Sequence, residues 1–349
     1  MTEQVLKEKN SVKERKSYID TIKKIETKLL TDNARVFYNE KMSGHTTFMI
    51  GGPADAYFEA YSPASITNIV KLARQNDIPY FFLGGGSNLL VNDNGIPGIV
   101  IKNKYKDIKI VNGDSPDFLI WKKINKQHEK MIDSNTVFVN VSTGTKLSEL
   151  VDFACENGLS GCEYFAGIPG TVGGAIYGNA GAYGRSIGDI LLFSTLLDSK
   201  GEIVCAPNEY FEFSYRFSKL KTNKDLVLSA MLKLTRGDKT AIKAQVEKII
   251  SERHQKHPPE QIGSAGSYFK NVAPCDPKHR RIAAGYFLDQ AGVKGMKLGN
   301  ASIYEKHANF IINPGGASAN EVLTLAKTMK TKVLEKFGVL LEEEVLYIA

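Results

Sequence analysis

The chain has 349 residues, of which 42% are hydrophobic and 24% charged, and its formal net charge is +7. This length favours two or three subdomains, and the ordinary composition excludes a collagen-like, coiled-coil or wholly disordered protein. Lysine and arginine are interleaved with acidic residues, so the charge suits a small anionic ligand better than nucleic acid.

Cysteine use and hydropathy indicate the cytoplasm. The four cysteines form neither a C-x-x-C pair nor a zinc-binding spacing with the six histidines, so we predict no disulfide framework and no metal site. Residues 1–10 lack the apolar core of a secretory signal, and no apolar run is long enough to span a membrane. We therefore expect a cytoplasmic protein without membrane insertion.

The first predicted element is a lysine-rich amphipathic helix over residues 1 to about 32, in which Ile19, Ile22, Ile25 and Leu29 recur at helical spacing. Docking of this helix on the body is the favoured interpretation, because terminal segments otherwise stay poorly ordered. Pairing with a partner and fraying are the alternatives.

A compact α+β unit follows from about residue 48. Alternating apolar residues predict a strand, Ser62-Pro63 predicts the start of a helix, and the apolar runs 78–83 and 96–101 predict two buried strands. Residues 103–136 are polar and irregular, which predicts a surface excursion between strands.

Two further units complete the chain. The middle unit is predicted from a helix N-capped at Thr145 and stopped by Gly158, and from strands at 137–141, 191–198, 201–205 and 226–234. A helix over 241–252 ends before Pro258-Pro259. Beyond it a separate α+β lobe is predicted from a helix near 281–291, a strand at 310–312, a helix with the capping box Ser318/Glu321 and a strand-like end at 344–349.

The segment Gly84-Gly85-Gly86-Ser87-Asn88 follows a buried strand, where freed backbone N–H groups can bind phosphate oxygens. It is not a Rossmann fingerprint, because Leu89 stands where the third glycine belongs, and it lacks the Lys-Ser/Thr ending of Walker A. Alone, this segment fits a tight turn equally well.

A second glycine-rich segment, Gly167–Gly184, favours a ligand. Each glycine loses more backbone freedom on folding than other residues do. A loop with many glycines therefore has a high entropic cost of folding, which is unexpected unless its exposed backbone binds a ligand. Together the two segments predict a cradle for one dinucleotide cofactor.

Several motifs in sequence order resemble the UDP-N-acetylenolpyruvoylglucosamine reductase family, from about residue 36 to the C-terminus. They are His45–Ala54, Leu83–Leu90, Ala166–Ala175, Asn179–Gly184, Tyr215-Arg216, Gly266–Asn271 and Glu305–Asn313. The stretch between Leu234 and Ala241 is too short for the tyrosine-bearing insertion of the longer subtype, so the chain resembles the shorter one.

This resemblance implies an α+β protein with a two-subdomain FAD-binding fold of the vanillyl-alcohol-oxidase type and a C-terminal α+β substrate lobe. The implied ranges are 1–35 for an N-terminal helical extension, 36–110 and 111–240 for the two FAD-binding subdomains, and 241–349 for the lobe. The implied reaction uses NADPH to reduce UDP-N-acetylglucosamine enolpyruvate to UDP-N-acetylmuramate for peptidoglycan, and hence for cell-wall biogenesis, cell shape and cell division. A monomer is expected.

The resemblance also assigns the FAD contacts to the two glycine segments and the motif after them. These contacts are Gly84, Gly85, Gly86, Ser87, Asn88, Gly167, Gly170, Thr171, Gly173, Gly174, Asn179, Ala180 and Gly181.

Three residues match the family's catalytic positions. Arg216 would face the carboxylate that gains charge when hydride adds to the double bond, since a guanidinium can meet a carboxylate with two hydrogen bonds. Ser267 would donate the proton, and Glu344 would act on the enolate side, either protonated or through water. A slip of one residue would move the last role to Glu343.

Five further residues resemble substrate contacts: Tyr215, Lys256, Asn271, His307 and Asn309, with Lys256 assigned to the UDP diphosphate. Two other functions stay open on the sequence. One is an oxidase of the same flavin fold that uses O₂, although the second glycine segment has no His or Cys to anchor flavin covalently. The other is a nucleotide-sugar binding module without catalysis.

Overall fold

Three sheets, each built from its own stretch of chain, organise the part of the protein that the structure describes. The structure is a computed structural model that describes residues 3–30, 33–111, 134–274, 276 and 280–349, with side chains from residue 15 onward. Short 3₁₀ turns lie between the main elements, at Met42–Gly44, Glu163–Phe165, Ile187–Asp189, Asn208–Phe211 and Lys219–Lys221.

The first sheet has the strand order β1-β2-β5-β3, in which β1 is antiparallel to β2 and the other pairs are parallel. The elements of this stretch are α1 (Glu3–Leu29), β1 (Ala34–Lys41), β2 (Pro53–Ala60), α2 (Pro63–Gln75), β3 (Tyr80–Leu83), β4 (Leu89–Val91) and β5 (Ile96–Asn103). The predicted helix start is confirmed, because the Ser62 hydroxyl accepts from the Ser65 N–H and Pro63 is the first helical residue.

The N-terminal helix is docked, as the favoured interpretation predicted. Ile22 and Leu29 are fully buried in one apolar cluster with residues of α2, β2 and β5. Arg15, near the middle of the helix, fixes it to the first sheet: its Nε donates to Asp55 Oδ1 at 2.7 Å, and its guanidinium also donates to the carbonyl oxygens of Pro53 and Asn94. Asp55 is only 1% exposed.

The second sheet is antiparallel, in the order β12-β11-β13-β7-β6, with β8 paired to β13. Its stretch contains β6 (Ile108–Val111), β7 (Thr136–Ser142), α3 (Leu147–Glu156), β8 (Leu159–Ser160), α4 (Val172–Gly178), β9 (Gly181–Ala182), β10 (Arg185–Ser186), β11 (Leu191–Leu197), β12 (Ile203–Pro207), β13 (Leu226–Arg236) and α5 (Lys239–Lys256). Apolar residues of all three helices share one core with this sheet.

Two sequence predictions for this stretch need correction. The predicted excursion over 103–136 contains strand β6, while residues 112–133 lie outside the described residues. Helix α3 is N-capped by Lys146 and not by Thr145, because Thr145 is 2% exposed and its hydroxyl lies 3.1 Å from the Ser142 hydroxyl. The Glu149 carboxylate accepts from the Lys146 N–H instead.

The third sheet is antiparallel, in the order β14-β17-β16-β15. Its stretch contains β14 (Gly263–Ser264), α6 (Ala284–Gln290), β15 (Lys297–Leu298), β16 (Ala301–Ile303), β17 (Ile311–Asn313), α7 (Ala319–Phe337) and β18 (Leu346–Ile348). The predicted capping box of α7 is confirmed by hydrogen bonds in both directions between Ser318 and Glu321.

The boundaries between the cores differ from the predicted ranges. Strand β6 belongs to the second sheet although residues 108–110 were assigned to the first unit. Val246 and Ile249 of α5 lie in the second core, so the third core begins after this helix and not at residue 241. Strand β18 leaves its lobe and pairs in parallel with β4 of the first stretch.

We predict that Arg15→Met lowers the free energy of unfolding by about 2 kcal/mol, because the buried Asp55 carboxylate loses its cationic partner. Urea unfolding followed by fluorescence measures this change. Lys16→Met, which removes an exposed charge from the next position, is the matched control and should change stability by less than about 0.5 kcal/mol. Equal effects of both variants would show that the Arg15–Asp55 pair does not stabilise the fold.

Candidate functional site

A cleft of about 2100 Å³ is lined by residues from all three stretches of the chain. Pockets for drug-sized ligands typically enclose about 300–1,000 Å³. The cleft therefore has room for a dinucleotide and a second ligand together.

The two glycine segments touch each other on the wall of this cleft. The first follows β3, and its Ser87 hydroxyl donates to the carbonyl of Pro169 at 2.8 Å. A Cβ on Gly85 would lie 2.5 Å from the Cα of Gly170, and a Cβ on Gly84 would lie 2.9 Å from the Thr171 hydroxyl. Only glycine permits this approach, because real Cβ atoms do not come so close to backbone.

Nearly all predicted cofactor contacts line the cleft. They are Gly84, Gly85, Gly86, Ser87, Asn88, Gly167, Gly170, Thr171, Gly173, Gly174, Ala180 and Gly181. Asn179 does not: its side-chain N–H donates to the Ser214 carbonyl at 2.8 Å and its side-chain oxygen accepts from the Gly188 N–H at 3.2 Å. It positions the neighbouring turn instead.

That turn carries Arg216. Ser214 and Phe217 exchange two backbone hydrogen bonds, of 3.2 and 3.1 Å, which leave Tyr215 and Arg216 at the tip. Arg216 has a φ of +53°, in the left-handed region. Such a conformation costs about 1–3 kcal/mol for a residue with a side chain and recurs at functional sites.

The Arg216 side chain reaches into the cleft between two partners. Its Nη1 donates to the carbonyl of Gly181 at 3.0 Å, and its Nε lies 2.6 Å from Glu344 Oε1. The Nε–H does not point at this oxygen, so the contact is a close ion pair and not a linear hydrogen bond. Both side chains are largely buried, at 27% and 18% exposure.

Glu344 is the member of the glutamate triplet that faces the cleft. Its backbone N–H donates to the Tyr268 carbonyl at 2.8 Å, and its carbonyl accepts from the Asn88 side chain at 2.9 Å. Glu343 points away, to an ion pair of 2.8 Å with Lys330. Burial raises the pKa of the Glu344 carboxyl, although Arg216 opposes the shift.

Ser267 lines the same cleft, one residue after Gly266, whose φ is +77°. The segment that follows is fixed by Asn309: its side-chain oxygen accepts from the Phe269 N–H and its side-chain N–H donates to the Phe269 carbonyl, both at 2.9 Å. Asn309 is 2% exposed. It therefore holds the segment beside Ser267, and its side chain does not line the cleft.

The other predicted substrate contacts also lie away from the cleft wall. The Tyr215 hydroxyl accepts from the Asn271 N–H at 3.1 Å, and the Asn271 side-chain oxygen accepts from the Ala284 N–H at 3.3 Å. His307 Nδ1 accepts from the Asn309 N–H at 3.3 Å. Lys256, the last residue of α5, is exposed. Substrate contact by these residues stays a prediction.

Arg253, which lies one turn before Lys256 in α5, was not predicted from the sequence as a site residue. It lines the cleft, and its Nε is buried without a hydrogen-bond partner among the described residues. Burial lowers the pKa of this guanidinium, and repulsion from Arg216 adds to the shift. A buried N–H without an acceptor is unfavourable, and an anionic ligand in the cleft would supply the missing acceptor. The helical spacing could have indicated this position, because Arg253 follows Val246 by seven residues and Ile249 by four and so lies on the buried face of the helix.

Comparison with known proteins explains this arrangement. A family model described as an FAD binding domain matches residues 54–206, and one described as the C-terminal domain of UDP-N-acetylenolpyruvoylglucosamine reductase matches residues 257–348. The UDP-N-acetylenolpyruvoylglucosamine reductase of Clostridium tetani is 36% identical over 331 residues, which cover 95% of this chain and 97% of that protein. The chain belongs to the UDP-N-acetylenolpyruvoylglucosamine reductase family.

Two further comparisons support the assignment to this reductase family. The reductase of Agathobacter rectalis is 38% identical over 88% of this chain and 92% of its own. The crystal structure of the reductase from Thermus caldophilus superposes with a TM-score of 0.68 at 30% identity, over 91% of this chain and 99% of that one. The predicted α+β fold, with its vanillyl-alcohol-oxidase-type FAD-binding part and C-terminal lobe, is confirmed.

FAD fits the residues of the cleft. The glycine cradle has no space for a Cβ at Gly85, and the buried Nε–H of Arg253 has no acceptor among the described residues. Within the described ranges, no group of three or more His, Cys, Asp or Glu residues could hold a metal ion. No helix among the described residues is both long and apolar enough to cross a membrane.

We predict that Gly85→Ala lowers FAD affinity by about 10–100-fold, because the new Cβ would push the two glycine segments apart, and such overpacking costs about 1–3 kcal/mol. Flavin absorbance per protein after purification and FAD titration measure the loss. Gly44→Ala is the matched control, since a Cβ there meets no atom within 4 Å. A Gly85→Ala protein with normal flavin content would show that the contact with Gly170 is not needed for FAD.

Proposed function

We propose that this protein uses NADPH to reduce UDP-N-acetylglucosamine enolpyruvate to UDP-N-acetylmuramate, with FAD as its redox cofactor. The observation that carries the proposal is the buried Arg216–Glu344 ion pair, which lines one cleft with Ser267 and both glycine segments. We further propose that the protein works as a cytoplasmic monomer in the synthesis of peptidoglycan precursors, on which cell shape and division depend.

The backbone of Gly84–Asn88 and Gly167–Gly174 would hold FAD. Bound FAD would supply the redox chemistry, which is the transfer of a hydride from NADPH to the carbon–carbon double bond of the substrate. The backbone N–H groups of Gly86 and Ser87 donate to no described residue, which leaves them available for phosphate oxygens.

Arg216 orients the substrate and stabilises the charge that develops on it. Hydride addition leaves an enolate whose negative charge spreads onto the neighbouring carboxylate. A guanidinium fixed by Gly181 and Glu344 can face this carboxylate without further reorganisation, which is where electrostatic stabilisation is most effective.

Ser267 and Glu344 complete the reaction. The Ser267 hydroxyl donates a proton to the carbanion carbon, because the enolate is a strong base and the hydroxyl needs only to be positioned. Glu344 is the counterion of Arg216 while the cleft is empty. Once the substrate carboxylate takes over the Arg216 guanidinium, burial favours the protonated form of Glu344, which donates a hydrogen bond to the enolate.

Arg253 takes the cationic role that the sequence assigned to Lys256. Its position on the cleft wall and its unsatisfied Nε support this assignment. The diphosphate groups of the UDP-sugar and of NADPH are the anionic ligands that would enter the cleft in turn.

We predict that Ser267→Ala leaves flavin reduction by NADPH unchanged and slows flavin reoxidation by the enolpyruvyl substrate by about a hundredfold or more, the scale of a lost acid catalyst. Stopped-flow absorbance measures each half-reaction separately. Ser264→Ala is the matched control, since it removes a hydroxyl from the same cleft at a residue to which we assign no role. Equal slowing of both half-reactions by Ser267→Ala would make Ser267 structural.

We predict that the rate of flavin reoxidation by substrate falls as pH rises through the pKa of Glu344, because the protonated carboxyl is the active form. Since burial raises this pKa, the fall occurs above the usual range of glutamate. Glu344→Gln, which keeps an N–H donor but cannot ionise, should react about 10–100-fold more slowly and without this pH dependence.

Glu343→Gln is the control for this experiment, because Glu343 is paired with Lys330 outside the cleft and its variant should keep the parent pH profile. A reoxidation rate that rises with pH in the parent enzyme would show that the carboxylate of Glu344, and not its acid form, is active.

The same half-reactions test the alternatives. An oxidase would leave its flavin oxidised in the presence of NADPH, and a binding module would purify without flavin and gain none on reconstitution. Flavin that NADPH bleaches and the enolpyruvyl substrate reoxidises supports the reductase.

A further inference from the structure

Lys102 is the next-to-last residue of β5, and it lies behind the first glycine segment. In the parallel pairing of β3 with β5 its register partner is Leu83, the residue before Gly84. The Lys102 Nζ donates a short hydrogen bond to the Gly84 carbonyl. The first residue of the cradle is thereby tied to a charged side chain and not only to the sheet.

The neighbouring residue links the same strand end to the second glycine segment. Asn103 is 3% exposed, and its side-chain N–H donates to the Thr143 hydroxyl at 2.9 Å. The Thr143 carbonyl in turn accepts from the Gly173 N–H at 3.0 Å. The end of β5 therefore holds both halves of the cradle.

The surroundings of Lys102 are basic. The charged groups that act on it are Lys104, Lys106 and Lys146, which repel it, and Glu59, which attracts it. Two of these lysines are paired with carboxylates, Lys104 with Glu59 at 2.9 Å and Lys106 with Glu149 at 2.6 Å. Lys102 itself is half-buried and bonds to a neutral carbonyl, so its charge has no carboxylate in direct contact among the described residues.

We propose that Lys102 is a positioning residue of the cofactor cradle, whose ammonium group fixes the Gly84 carbonyl and supplies positive charge behind the backbone that receives the diphosphate of FAD. This inference rests on the proposed FAD function. It adds a cation to a cradle that the sequence motif presents as glycine backbone alone.

The proposal has a consequence for pH. Burial, together with the neighbouring lysines, lowers the pKa of Lys102 to about 8. A bound diphosphate favours the charged form, so FAD binds more tightly to protonated Lys102, and its affinity falls as pH rises above this pKa. The free energy of unfolding has the opposite pH dependence. In the unfolded chain Lys102 keeps its proton to higher pH than in the folded protein, so the contribution of Lys102 to stability increases as pH rises over the same range. Loss of FAD through Lys102 is therefore separable from unfolding.

The experiment measures the FAD dissociation constant of the full-length, deflavinated protein by flavin fluorescence between pH 6.5 and 9.5. For the parent we expect constant affinity up to about pH 7.5 and a fall of about tenfold by pH 9.5. Lys102→Arg should bind FAD with an affinity that does not change over this range, because arginine stays charged. Lys102→Met should bind about tenfold more weakly at pH 7 and also without pH dependence.

Lys109→Met is the matched control, since it removes an equal charge at an exposed residue that is paired with Asp107 and is not among the groups that act on Lys102, and it should keep the parent profile. Riboflavin, which has no phosphate, separates charge from structure: Lys102→Met should bind it as the parent does. Equal loss of riboflavin and FAD by Lys102→Met, or the same pH profile in the parent and in Lys102→Arg, would overturn the inference. A parent that bound no FAD at any pH would instead contradict the proposed function.

Discussion

The contact between Gly85 and Gly170 is the constraint on which the rest of the site depends. Two loops from different sheets meet there at a distance that leaves no space for a side chain, and each brings backbone N–H groups to the same cleft. Because the loops are fixed against each other, the elements attached to them are fixed as well. Asn88, at the end of the first segment, holds the Glu344 carbonyl, and Gly181, shortly after the second, holds the Arg216 guanidinium.

The positive charges in the cleft and behind its glycine wall differ in whether they have a carboxylate partner. Arg216 has a carboxylate partner that keeps it in place, whereas Arg253 and Lys102 have none in direct contact among the described residues. Partly buried positive charge without a counterion is unfavourable in the empty protein, and it favours the binding of anionic ligands such as dinucleotides and a UDP-sugar. The same unpaired positive charges thus lower the stability of the empty fold and favour the binding of anionic ligands.

The sequence predicted the parts of the fold that depend on local pattern. Ser62-Pro63 and Ser318/Glu321 marked helix starts correctly, because a capping residue acts within one turn of its helix. Thr145 was assigned wrongly because a buried hydroxyl contact with Ser142, which no local pattern shows, takes its side chain away from the helix end. Strand β6 was missed since its partner β7 lies beyond a long intervening stretch of chain.

The site residues also fall into those that a local sequence pattern predicts and those that it does not. Residues whose backbone forms the cradle were recognisable from glycine spacing and family motifs, and Arg216, Ser267 and Glu344 came together on one cleft. Asn179 and Asn309 were assigned to ligands, but their amide groups are used to hold neighbouring backbone, and motif matching does not distinguish these two uses. Arg253 has no motif of its own and is conspicuous only once its burial is known.

The parallel pairing of β18 with β4 sets the order in which the site is assembled during synthesis. Translation proceeds from the amino end, so both glycine loops and Arg216 emerge from the ribosome well before Glu344. The nascent chain thus acquires a cradle before it acquires the carboxyl group that neutralises Arg216. Because β18 lies close to the C-terminus, its pairing with β4 can form only after nearly the whole chain has been made, and this pairing closes a very long loop of chain.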